Sequence, residues 1–230
     1  MKKLEFLFVV ASVAMLTSCG GGKSIKLSPE VEEKISEVEE IMGSTAGNIV
    51  RLSAECKLLD DSLTHNEFEE EAFDELQQLF EDTKDALYEN AEKLVEELSG
   101  KTIPTVLADG VPMRLIKPFT AREGHNSDQV EFVCEVELTQ DRPDLSNKYF
   151  VGSYHDYVPY VIPIDDSGQE LTSEEKCLRD PFMNKSIYAP AGSRHELKFS
   201  FGTSYIDDSF LQTMTAKELK IYWNYPLGKP

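Results

Sequence analysis

The sequence lacks the short motifs that mark most enzyme families. It contains no His-Glu-x-x-His zinc motif, no Gly-x-Ser-x-Gly nucleophile turn, no phosphate-binding loop and no dinucleotide-binding glycine pattern. General acid–base catalysis needs groups that converge, whereas the four histidines are scattered along the chain at His65, His125, His155 and His195. These absences argue against catalysis and give no reason to expect a cofactor.

Basic residues are scarce as well. The chain has 23 Lys and Arg against 42 Asp and Glu, a formal net charge of −19. Nucleic acids and anionic lipids attract basic surfaces, so this balance argues against nucleic acid as a partner and against direct docking on anionic lipid. The excess is concentrated, because residues 29–100 hold 22 acidic and 5 basic side chains, and residues 101–230 hold 19 and 14. An acidic composition by itself identifies no partner.

Cysteine occurs only four times, and no pair has the spacing of zinc ligands, so we expect no metal site. Cys56 falls on an apolar helical face and Cys134 on an apolar strand face, which predicts that both are buried. Cys177 lies in a charged loop. A disulfide between two of these three stays open at this point.

The fourth cysteine ends an export signal. Lys2 and Lys3 precede an apolar run at residues 6–16, which is too short to cross a bilayer and is typical of a segment that is removed. The residues that follow, Leu-Thr-Ser-Cys at 16–19, resemble the lipobox of bacterial lipoproteins. This resemblance covers residues 1–20 and implies cleavage after residue 18, a diacylglyceryl group on the Cys19 sulfur and usually an acylated new amino terminus. Several acyl chains hold a protein stably on a bilayer.

Residues 19–28 are expected to form the lipidated cysteine and a flexible tether. The sequence GGGKSIKLS at 20–28 is rich in glycine, and nine extended residues reach about 30 Å. Lys23 and Lys26 stand where some surface-displayed lipoproteins carry acidic residues, which favours a periplasm-facing position in the bacterial envelope. The basic tether can lie on an anionic leaflet while the acidic part beyond it is pushed away.

Residues 29–100 carry two long helical patterns. Ser28 and Pro29 supply a start, and apolar positions then recur in steps of four and three to residue 63. A second series reaches residue 98, with Thr64 and Glu67 as a capping box before it and Gly100 as a stop. These patterns predict an antiparallel helical hairpin, with an intermolecular coiled coil as the alternative. The two series are Val31, Ile35, Val38, Met42, Thr45, Ile49, Leu52, Cys56, Leu59 and Leu63, and Phe73, Leu76, Phe80, Thr83, Leu87, Ala91, Leu94 and Leu98.

Two glycines conflict with the first helix. Gly43 and Gly47 each cost about 1 kcal/mol relative to alanine in a helix interior, and both lie off the apolar seam. Either the helix kinks or breaks here, or another group packs closely against that outer face.

From residue 101 the pattern changes to short runs of β-branched and aromatic residues. Residues 129–138 alternate apolar and polar side chains, as in a half-buried antiparallel strand. Further strands are predicted at 111–117, 149–154, 157–164, 196–201 and 218–224, with weaker signals at 103–107 and 186–188. The chain is therefore expected to be α+β, with the helical hairpin followed by an all-β sandwich of immunoglobulin-like outline at 101–230.

The densest aromatic stretch is YFVGSYHDYVPYVIP at residues 149–163. Tyr154, Tyr157 and Tyr160 could form an aromatic platform for a sugar or peptide, whereas ordinary cross-strand packing is the alternative. The acidic stretches at 164–170 and 207–208 lack the full spacing of a calcium loop and are interpreted as turns.

Together these features predict a membrane-anchored envelope lipoprotein that acts as a binding or adaptor protein. The expected partners are the lipid bilayer, through acylated Cys19, and an envelope protein or glycan. The alternative is a periplasmic hydrolase or modifying enzyme with its site in the sandwich loops. A pocket that joins two or more of His125, His155 and His195 with carboxylates would favour that alternative.

Overall fold

The computed structural model describes residues 25–66, 68–141, 159–171 and 190–223. Three helices come first: α1 Pro29–Met42, α2 Ser44–His65 and α3 Glu70–Leu98. The strands are β1 Thr102–Ile103, β2 Thr105–Leu107, β3 Met113–Glu123, β4 Gln129–Leu138, β5 Pro159–Ile164, β6 Arg194–Gly202 and β7 Glu218–Trp223. A fourth helix, α4 Asp208–Thr215, lies between β6 and β7. Helices in the first half and an antiparallel sheet in the second confirm the α+β class.

The first long helix is broken between α1 and α2, which is one of the two alternatives that the sequence left open. Ser28 caps α1 as predicted, accepting a hydrogen bond from the amide of Val31 at 3.4 Å. α1 then ends at Gly43, whose φ of 92° is a conformation that favours glycine. Arg51 of α2 lies 3.6 Å from Glu32 of α1, although these residues would be about 28 Å apart in one helix. α1 therefore folds back along α2.

Gly47 fits the second alternative that the sequence left open, in which another group packs closely against the helix. It is buried inside α2, and a Cβ atom there would lie 2.8 Å from Cδ of Glu39 and closer still to its Cγ. Such a distance is too short for a real contact. Gly43 thus makes the break, and Gly47 allows α1 to pack closely against α2.

α2 and α3 form the predicted antiparallel pair. Thr45, at the start of α2, donates to the carboxylate of Glu97, near the end of α3, at 2.8 Å. The predicted capping box is wrong, because Thr64 lies inside α2 and Glu69 is the N-cap of α3, without a side-chain cap bond. α3 ends at Leu98, two residues before the predicted stop.

The strands form two sheets. Sheet A has the order β1-β3-β4-β6 and is antiparallel throughout, and sheet B has the order β2-β7-β5. In sheet B, β7 is antiparallel to β5 but parallel to β2. β4 occupies the predicted residues 129–138, with alternate side chains buried along its whole length. β3 extends past the predicted end at residue 117. Pro118 has no amide hydrogen to donate, and the pairing of β3 with β4 shifts register between Leu115 and Lys117 and again between Lys117 and Thr120.

The region after residue 101 is not all-β as predicted. α4 was missed because it has only eight residues, too few for a periodic signal to stand out. Asp207 is its N-cap and accepts from the amide of Phe210 at 2.7 Å, so residues 207–208 begin a helix rather than a turn. The acidic stretch at 164–170 does form a turn, in which Asp165 accepts from the amides of Ser167 and Gln169.

Helices and sheets share one apolar core. The ring of Phe199 in β6 lies 5.1 Å from that of Phe119 and 5.2 Å from that of Phe132. Phe201 stacks on Phe210 at 4.6 Å, which joins β6 to α4. Side chains from the C-terminal half of α3 and from sheet B complete the same cluster, among them Leu94, Val95, Leu98, Val161, Leu219 and Ile221.

Several predictions lie outside the described residues. These are the lipid site at Cys19, the strands at 149–154 and 186–188, and Cys177. No helix among residues 25–66, 68–141, 159–171 and 190–223 combines the length and apolar character needed to cross a bilayer.

Candidate interaction surface

Of the three tyrosines predicted to bind a ligand, only one falls on the described chain. Tyr154 and Tyr157 lie outside it, and Tyr160 lies in β5 directly opposite Tyr222 of β7. The Tyr222 hydroxyl bonds to the carboxylate of Glu170, and the Lys220 ammonium lies 5.1 Å from the Tyr222 ring centroid. Burial and this bond to Glu170 raise the pKa of Tyr222. The Tyr222 hydroxyl is therefore held in its protonated form by an internal partner.

The described histidines do not converge. His125 precedes β4 and His195 pairs with Val136 near the other end of that strand, a separation of about 20 Å along the sheet. His195 lies 2.8 Å from the Ser193 hydroxyl, but that hydroxyl is also 2.6 Å from the Pro190 carbonyl, to which it donates. A serine activated as a nucleophile would instead donate to the ring. His155 lies outside the described residues.

The described cysteines are free thiols. Cys134 is buried on the inner face of β4, as predicted, and burial raises its pKa to about 12. Cys56 is half-buried in α2, and burial raises its pKa too. Within the described part of the chain, no three His, Cys, Asp or Glu side chains lie together as they would around a metal ion.

The outer face of sheet A is charged, but its charges pair with one another. Glu131 of β4 lies 2.8 Å from both Arg122 of β3 and Lys198 of β6. Although its partial burial opposes the charged form, these two cations hold the pKa of Glu131 below its usual value. Glu135 and Glu137 are paired in the same way with basic residues of β3 and β6. This face offers little net charge to a partner.

An exposed aromatic row runs along α3. Phe73 and Tyr88 are 40% and 44% exposed, and half-buried Phe80 lies between them. Their spacing of seven and eight residues puts them near one side of the helix, over a length of about 22 Å. The Lys84 ammonium lies 5.8 Å from the Phe80 ring centroid, within the same row.

The row is exposed because sheet A stops short of it. Further along α3, Ala91 and Val95 continue the same side of the helix and are buried in the core. The end of sheet A meets α3 at this level, where the Ser127 hydroxyl lies 2.6 Å from the Glu92 carboxylate and that of Thr203 lies 2.9 Å from the Ala91 carbonyl. The N-terminal half of α3 extends beyond this junction.

Tyr205 is a further exposed aromatic residue, outside α3. It is 54% exposed and lies two residues after Thr203, in the segment bonded to α3. Among the described residues, Phe73, Tyr88 and Tyr205 are the exposed large hydrophobics. We call the set Phe73, Phe80 and Tyr88 the aromatic row.

Acidic side chains border the row on one side of α3. By helical geometry, Asp74, Glu81, Asp85 and Glu92 lie one residue or one turn from its members, and all four are exposed. The sequence placed Phe73 and Phe80 on the seam facing the first helix, which is wrong for Phe73. The spacing of Phe80, Lys84 and Tyr88, at i, i+4 and i+8, was the signal that could have revealed a second face.

No protein-family model, curated protein or solved structure matches this chain.

Proposed function

We propose that this protein is a lipid-anchored component of the bacterial envelope that binds a partner protein through the aromatic row. The lipobox at residues 16–19 supports the anchor, and Lys23 and Lys26 in the tether support the periplasm-facing position. The exposure of Phe73 and Tyr88 along one acidic helix carries the binding role. Large apolar side chains grouped on a polar surface are typical of interaction sites, and tyrosine and phenylalanine are enriched in interface cores.

We place the anchor at the same end of the helices as the row. Leu27 is buried and Ser28 caps α1, so we expect the slack between Cys19 and the fold to come from residues 20–25, about 20 Å when fully extended. Because α1 folds back along α2, its first residue points toward the tip of the α2–α3 hairpin. The lipid would thus keep the hairpin and its aromatic row within reach of the bilayer, while the acidic side chains are pushed away from an anionic leaflet.

A protein partner fits this surface better than a glycan. The row is long, straight and bordered by carboxylates, whereas sugar sites are compact and present hydrogen-bonding groups around a stacked ring. The glycan-binding role suggested for Tyr154, Tyr157 and Tyr160 stays a prediction, as does the immunoglobulin-like outline.

Two measurements in cells test the proposal. Mass spectrometry of the mature protein should find an acylated Cys19 amino terminus, and Cys19→Ala should release the chain from membranes. A photoreactive phenylalanine analogue at Phe73 or Tyr88 should give protein adducts, whereas the same analogue at Glu75 or Asp82, exposed on the other side of α3, should not. Absence of adducts at every row position, with Cys19 intact, would refute the binding role.

A further inference from the structure

We infer that the partner presents a cationic amphipathic helix, which lies along α3 with its apolar side on the aromatic row. This inference rests on the proposed function and specifies the partner's chemistry. It depends on the shape of the row, on the acidic side chains beside it and on Lys84, whose ammonium group already lies on this surface.

The shape of the row favours a helix. Phe73, Phe80 and Tyr88 are spaced along α3 by about 10 and 12 Å, close to two helical turns each. A second helix presents apolar side chains at the same intervals when it packs nearly parallel or antiparallel to the first. An extended peptide would instead need an open strand edge, and the row lies on a helix.

The charge beside the row favours a basic partner. Asp74, Glu81, Asp85 and Glu92 form one exposed acidic line along the row. A second copy of this chain would bring the same acids, and residues 29–100 carry 22 acidic against 5 basic side chains. Like charges across an interface oppose association, and an anionic lipid surface is disfavoured for the same reason.

Lys84 shows how a cation is held on this surface. Its ammonium lies 5.8 Å from the Phe80 ring centroid and 4.0 Å from the Glu81 carboxylate. An aromatic face and a carboxylate therefore already share one cation. Lysine or arginine side chains of the partner would use the neighbouring pairs, Phe73 with Asp74 and Tyr88 with Glu92.

The test maps the partner segment and reverses the charge of the acidic line. The photoreactive analogue is placed at Phe73 and at Tyr88 of the full chain in cells, and the crosslinked peptides are sequenced. We expect both positions to capture one helical segment with a net positive charge. Asp74→Lys combined with Asp85→Lys should lower its yield at least about tenfold, the loss expected when attractive charge pairs become repulsive.

The matched control is Glu75→Lys combined with Asp82→Lys, which makes the same charge change at exposed positions 120° or more around α3 from Phe73, Phe80 and Tyr88. It should change the yield by less than about twofold, since exposed charges away from an interface contribute little. Circular dichroism would show that both double variants keep their helices. An equal loss in both, an acidic partner segment, or adducts to lipid or to a second copy of this chain would overturn the inference. Those results would leave anchoring intact, whereas absence of any adduct would refute the proposed function itself.

Discussion

The hydroxyl of Thr203 lies 2.9 Å from the carbonyl oxygen of Ala91, and this contact joins the segment after β6 to the middle of α3. The same hydroxyl lies 2.8 Å from the carbonyl of Asp128, which also accepts from the Thr203 amide at 2.7 Å. Both carbonyls are acceptors, so they share one proton. Thr203 is fully buried, so water cannot replace it there. This contact marks where sheet A ends on α3 and where the aromatic row begins.

Replacing Thr203 with valine keeps its shape but removes the shared proton. We expect Thr203→Val to lower the free energy of unfolding by roughly 1–3 kcal/mol, because a buried carbonyl loses a donor. Urea unfolding of the mature chain measures the change. Thr215→Val is the control, since the Thr215 hydroxyl bonds to the Leu211 carbonyl at an exposed position. A similar loss of unfolding free energy in both variants would show that burial of the Thr203 hydrogen bonds adds no stability.

The close approach of Gly47 and Glu39 predicts a non-additive pair of mutations. Gly47→Ala alone should destabilise the protein, although alanine is favoured in a helix by about 1 kcal/mol, because the new Cβ meets the Glu39 side chain. In a Glu39→Ala background, the same substitution should become neutral or stabilising. A double-mutant cycle by thermal unfolding gives the coupling energy, and a value near zero would contradict the close packing of α1 on α2.

Glu131 predicts a specific pH dependence. Its pKa is held below the usual value by Lys198 and Arg122, so its ionised form stabilises the fold above that usual value, and this contribution is lost as pH falls through the lowered pKa. Glu131→Gln should therefore cost up to about 1 kcal/mol at pH 7 and nothing at acid pH. Unfolding curves across pH 2–7 measure this. Glu196→Gln, which removes a carboxylate that is 55% exposed and 3.3 Å from Arg122, should have a smaller effect at pH 7.

The sequence predicted β4 residue for residue but not the path of the first helices. β4 lies between β3 and β6, so its apolar side faces the core along its full length and the alternation is uninterrupted. The helical series also continued without a gap from Val38 to Ile49, and both residues are indeed buried. They lie in two helices that fold back on each other, and periodicity alone cannot distinguish this arrangement from one long helix.

The sequence pattern alone could not locate the aromatic row, because the exposure of its residues depends on tertiary contacts. Phe73 and Leu76 both belong to the α3 series, yet Leu76 is buried and Phe73 is 40% exposed. Leu76 lies on the side of α3 that continues through buried Thr83 and Leu87, whereas Phe73 lies on the neighbouring side, whose burial depends on where sheet A ends along α3. That end is set by contacts between residues more than a hundred positions apart, such as Thr203 and Ala91. Tyr205, which is also exposed, follows Thr203 by two residues, and its local sequence carries no periodic signal.

The break between α1 and α2 rests on the backbone conformation of one residue, Gly43, so a substitution there tests it. Gly43 has φ 92°, and a Cβ atom there would meet nothing within 4 Å, so any cost of Gly43→Ala arises from the backbone alone. We expect roughly 1–3 kcal/mol of destabilisation, the strain of a non-glycine residue in this region. Gly202 also has open space around it but no positive φ, so Gly202→Ala should be nearly neutral. If the two variants unfold at the same temperature, Gly43 does not hold the break, and a rise in helix content in Gly43→Ala would instead indicate that α1 and α2 have joined.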